Sequence, residues 1–90
     1  MLKPIKEYNS LEEVLIDAIA EEEYAENWYT QAAELIPDPE LRSTLITLAA
    51  MEADHALQLK NCLGLAKAQQ LVNEGIMSSF GENPFQKETK

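Results

Sequence analysis

Two glutamates and the chain's one histidine interrupt what is otherwise an apolar repeat. Glu22 falls in the row Leu11, Leu15, Ala18, Glu22, Ala25, Tyr29, Ala32, Ile36, whose spacings alternate four and three. Glu52 and His55 fall in a second row of the same period: Leu41, Leu45, Leu48, Glu52, His55, Leu59, Cys62. Such a period belongs to a helix–helix seam. Carboxylates in a seam cost on the order of several kcal/mol unless something compensates their charge, and neither row holds a Lys or Arg. Four explanations stand: a polar residue that fixes register, carboxylates protonated and hydrogen-bonded to the histidine, a stripe exposed to solvent, or a bound metal. Three such residues without basic counter-charge favour the metal. Carboxylate oxygens with one imidazole nitrogen suit iron or manganese, and zinc less well.

The elements that must hold these residues are marked by turn signals. Ser10 followed by Glu13 predicts a capping box, each side chain satisfying a backbone donor of the other. From there the chain runs to Ile36 without Gly or Pro, enough for a helix of about 39 Å. Pro37-Asp38-Pro39-Glu40 then reads as a stop and a restart: Asp38 is the expected N-cap, and Pro39 suits the first helical position. A second helix is expected from Pro39 to about Leu63, with Gly64 as its C-cap. A short third helix should occupy 64–76, and 77–90 should be a flexible tail after an N-terminal segment 1–10 and a hairpin 11–63. The fold class is all-α.

Two long helices joined by so short a turn pack antiparallel. Counted from the turn midpoint, Glu22 lies about 15.5 residues back, and Glu52 and His55 about 14.5 and 17.5 forward, so all three share one level to within about 3 Å. One hairpin then offers three ligands. The carboxylate-bridged di-iron arrangement in four-helix bundles takes a Glu from each of two helices and Glu-x-x-His from each of the other two. Glu22 with Glu52-Ala-Asp-His55 is half of that set, so the site itself asks for a two-fold homodimer.

Composition narrows the remaining options. Ninety residues make one small domain, and the formal charge of −9 argues against nucleic acid and anionic membranes; a solvated acidic surface explains the same charge without any function. The single Cys62 excludes a disulfide framework or a four-cysteine metal centre within the chain, and is expected as a small core residue. The opening MLKPIKEYNS has no apolar stretch of a secretory leader, so a cytoplasmic location is expected.

With these residues in place, the chain resembles the ferritin and rubrerythrin superfamily. The stretch Ala18–Tyr29 is similar to its first metal helix, where a ligand Glu precedes a tyrosine near the metal by seven positions, as Glu22 precedes Tyr29. Trp28-Tyr29-x-Gln31, Asp38-Pro39-Glu40-Leu41 and Glu52-x-x-His55 look most like the encapsulated ferritins, over roughly residues 11–63. The resemblance implies a ferroxidase that oxidises Fe(II) with dioxygen or peroxide at a di-iron site shared between two chains. It further implies dimers assembled into a ring, and residence inside an encapsulin shell. Metal ligands would be Glu22, Glu52 and His55 from each chain, with Glu52 bridging and Tyr29 hydrogen-bonding a ligand or intercepting radicals. Trp28 would pack at an interface between subunits. Tyr24 stands where the family carries a further acid, although Glu21 matches another, and the tail 77–90 does not match a shell-targeting peptide. Two other readings stay open: peroxide reduction at the same di-iron site, as in rubrerythrins though without their rubredoxin module, and a non-enzymatic dimerisation module.

Overall fold

Ser10 starts the first helix as its type predicts. Its backbone is extended and its Oγ accepts the N–H of Glu13 at 3.1 Å, so α1 runs Leu11–Glu34. The reciprocal bond of the capping box goes elsewhere: Glu13 Oε1 accepts the N–H of Asn9 at 3.0 Å, one residue earlier than expected. The computed structural model describes residues 2–80, with side-chain placement through residue 69. Ahead of α1 a single 3-10 turn, Ile5–Glu7, is tied down by Tyr8. The Tyr8 hydroxyl donates to Asp17 Oδ2 at 2.9 Å and accepts the N–H of Lys3 at 3.1 Å, and the Lys3 ammonium lies 4.7 Å from its ring centre.

α1 ends at Glu34, two residues before the expected Ile36, because the Leu35 and Ile36 N–H groups bond back three residues and tighten the last turn ahead of Pro37. Asp38 caps the second helix through Oδ1, 3.3 Å from the Glu40 N–H. A lock the sequence did not reveal comes from Arg42, whose guanidinium donates to the carbonyls of Ile36 at 2.9 Å and Pro37 at 3.4 Å. These are carbonyls that the end of α1 leaves without helical partners.

α2 then runs Pro39–Phe80 without interruption. The expected C-cap at Gly64 and the separate short helix over 64–76 are therefore corrected: both lie inside one helix of 42 residues. Residues 77–80 of the expected tail also belong to α2, while 81–90 lie outside the described residues. Gly64 carries no positive backbone angle and an added Cβ would meet nothing within 4 Å, so no turn forces glycine here. The residues that follow, Leu65-Ala-Lys-Ala-Gln-Gln-Leu, are good helix formers, and one glycine costs only about 1 kcal/mol against them.

α1 and α2 pack side by side in one layer, 15 Å in its thinnest dimension and 61 Å long. Among the described residues there is no strand. The buried core is correspondingly thin: Leu15, Ile19 and Ala33 from α1, and Ala49 and Ala56 from α2. Its alanines let the two backbones approach closely, but no described side chain is fully enclosed. Large apolar residues are left exposed, among them Leu11, Leu35, Leu41, Met51 and Leu65.

Candidate metal centre

Two helices bring three side chains that could hold a metal ion to one place. Glu22 stands in the middle of α1, and Glu52 and His55, three residues apart on α2, present neighbouring side chains. His55 Nδ1 lies 3.2 Å from Glu52 Oε1 and 3.8 Å from Glu22 Oε1. One ligand atom from each residue can be chosen so that all lie within 4.8 Å of one another. The three side chains thus meet at one level, as the count from the turn predicts.

Their environment differs from a closed core. The side chains retain 28 % exposure at Glu22, 23 % at Glu52 and 49 % at His55, so the cluster lines an open face of the hairpin. The face of α2 turned toward α1 is centred on Leu45, Ala49, Glu52, Ala56, Leu59 and Leu63, all buried or half-buried, while Leu41, His55 and Cys62 are exposed beside it. Cys62, expected in the core, is consequently exposed.

Two carboxylates this close influence each other's proton affinity in opposite directions. The hydrogen bond to Glu52 is the largest influence raising the Glu22 carboxyl above its ordinary 4.5, and loss of water contact adds to it, with His55 opposing. The same bond with Glu22 holds Glu52 below its ordinary value, against desolvation and with help from His55. A cation placed between the oxygens would offset the repulsion that raises Glu22, so the donor set fits a metal ion on chemical grounds.

The other singled-out residues fall into place around this cluster. Tyr29 is half-buried and stacks edge-on with Trp28, ring centres 5.6 Å apart at 80°. No hydrogen bond joins its hydroxyl to Glu22, Glu52 or His55, so within one chain it stands as a seam aromatic. Trp28 is exposed on the protein surface. Of the acidic neighbours, Glu23 is engaged by Lys60, Nζ to Oε2 2.7 Å, in an ion pair that clasps α1 to α2. Level counting does not announce that pairing, because Lys60 stands about eight residues farther from the turn than Glu23 and two long side chains close the gap.

No protein-family model, no curated protein and no solved structure matches the chain. No described helix is long and apolar enough to cross a membrane.

Proposed function

We propose that the chain is half of a ferritin-like di-iron oxidase, completed by a second copy. The observation that carries this reading is the convergence of Glu22, Glu52 and His55 on the open, apolar-flanked face of a single-layer hairpin. Three ligands are too few to hold two metal ions, and the same face leaves Leu11, Leu41 and Met51 uncovered. A second hairpin related by a two-fold axis would double the ligands and cover those side chains together.

Fe(II) is the substrate. Two Fe(II) ions each give one electron to dioxygen, which takes two protons and leaves as hydrogen peroxide, and two Fe(III) ions remain. The chain's residues bind and orient. Glu52, held below its ordinary value, offers an anionic oxygen, while Glu22, raised above its own, must be deprotonated to bind and so couples loading to pH. His55 Nδ1 faces both carboxylates and supplies the nitrogen donor. Hard carboxylate ligands favour the Fe(III) product and so favour oxidation. Iron is preferred, and manganese and zinc are expected as substitutes at the same residues.

Glu52→Ala and His55→Ala test the reading. Each should retain helicity and assembly, because the side chains are partly exposed and outside the buried core. Each should weaken Fe(II) binding by at least about 100-fold, the upper range for losing a group that only supports a ligand, and abolish ferric colour formation in air. Full activity in both variants would leave a dimerisation module in place of an oxidase.

A further inference from the structure

The face between the helices holds one more carboxylate than the group of Glu22, Glu52 and His55 accounts for. We infer that this residue, Glu26, is a further iron-binding residue that takes up Fe(II) from water and passes it to Glu52 and Glu22. The inference rests on the di-iron oxidase reading and names how that site is supplied. The face that α1 turns toward α2 runs Leu15, Ile19, Glu22, Glu26, Tyr29 and Ala33, all buried or half-buried. Glu26 stands two turns from buried Ile19 on one side and from buried Ala33 on the other, at the centre of that face. The repeat legible in the sequence passes through Ala25 instead; packing selects the neighbouring row.

Glu26 is half-buried without compensation. Among the described residues no hydrogen bond or ion pair reaches its carboxylate; only its backbone carbonyl is engaged, accepting the Thr30 hydroxyl at 2.9 Å. Lys60, the cation that clasps the two helices, is taken by Glu23 at 2.7 Å. A charge drawn partly out of water with no partner carries a desolvation cost that alanine at the same place would not. Three carboxylates, Glu22, Glu26 and Glu52, then line the inner face with one imidazole beside them. A divalent cation supplies the charge that this set lacks.

Position along the helices joins Glu26 to the site. Counted from the turn midpoint it lies about 11.5 residues back, level with buried Ala49 and about 4.5 Å along the axis from Glu52. Side chains lean toward the start of their own helix, so in an antiparallel pair Glu26 and Glu52 lean toward each other. Glu23 and Lys60 close a longer gap in the same way. Opposite Glu26, α2 presents the methyl groups of Ala49 and Ala53. Around α1, Glu26 is turned about 40° from Glu22, and Glu23 about 100°, in the same sense. Glu26 therefore stands between Glu22 and the hairpin face that carries Glu23 and Lys60. A second copy on the open face covers His55 and leaves this other face to water. Fe(II) arriving there meets Glu23 already paired, then Glu26, then Glu22 and Glu52.

Steady-state oxidation by the full chain, with Fe(II) varied in air-saturated buffer of about 0.15 M ionic strength, tests the role. Glu26→Gln keeps the shape and removes the charge. It should raise the Fe(II) concentration for half-maximal ferric colour growth about 10-fold and lower the saturated rate far less. Glu26→Asp, which keeps a carboxylate, should recover most of that loss. Glu34→Gln removes the same charge from an exposed position about 12 Å farther along α1. That exceeds the screening length of about 8 Å, so neither value should move. A Glu26→Gln curve that superposes on the parent's, or that Glu34→Gln reproduces, would overturn the role and leave the oxidase site standing. Loss of stoichiometric anaerobic Fe(II) binding in Glu26→Gln would also overturn it, by making Glu26 a resident ligand. A parent that binds no Fe(II) would remove the oxidase reading and this role together.

Discussion

Replacing Gly64 by alanine gives opposite signs for the two structures the chain could have adopted there. In the continuous α2, Gly64 is an interior helical residue, and a methyl group at its Cβ would meet nothing within 4 Å. No steric cost offsets the gain, so Gly64→Ala should stabilise by the propensity difference, about 0.5–1 kcal/mol per chain. For a domain of this size that corresponds to a rise in Tm of about 2–8 °C. Had Gly64 been the left-handed cap of a helix ending at Leu63, alanine would instead cost about 1–2 kcal/mol. Thermal unfolding followed by circular dichroism at 222 nm measures the sign, with protein concentration held fixed because dimerisation shifts Tm by mass action. A fall in Tm, with helical signal lost before global unfolding, would refute the continuous helix.

The remaining predictions concern the cluster and the start of α1. Glu22→Gln should bind no Fe(II), yet in the metal-free protein it should change how stability varies with pH. A carboxyl raised above 4.5 in the folded state binds more proton there than in the unfolded chain, so its contribution is present at acid pH and is lost as pH rises through the raised value. The Tm difference between Glu22→Gln and the metal-free parent should therefore grow across that window; a constant difference would mean that the Glu22 carboxyl is not raised in the folded state. In the parent, Fe(II) affinity should weaken as pH falls into the range where Glu22 is protonated, measurable by anaerobic titration at several pH values. Ser10→Ala removes the acceptor of the Glu13 N–H and should cost about 1 kcal/mol, seen as a lower urea midpoint with unchanged slope.

How far the sequence reached depended on whether local chemistry or packing decided the outcome. The starts of both helices were legible because Ser10 and Asp38 act through their own side chains on neighbouring N–H groups. The meeting of Glu22, Glu52 and His55 was legible because a four-residue link between two helices leaves little freedom in their relative level. Gly64 misled because glycine marks a stop only where the following residues favour one. Helix formers follow here, and the next proline is Pro84. Cys62 misled because two adjacent rows of α2 share the same four-three spacing, and packing against α1 selects the one through Ala49 and Ala56. Arg42 and Lys60 found partners through reach across the turn and across the layer, which no spacing along one helix announces.

The central claim is that two copies of Glu22, Glu52 and His55 form one di-iron oxidase site, and an anaerobic Fe(II) titration followed by admission of air tests it most directly. The account predicts saturation at one tightly bound iron per chain, two per dimer, and rapid growth of ferric absorbance once oxygen enters. Binding that never saturates at a fixed stoichiometry, or saturated iron that oxidises no faster than free Fe(II) in the same buffer, would contradict it.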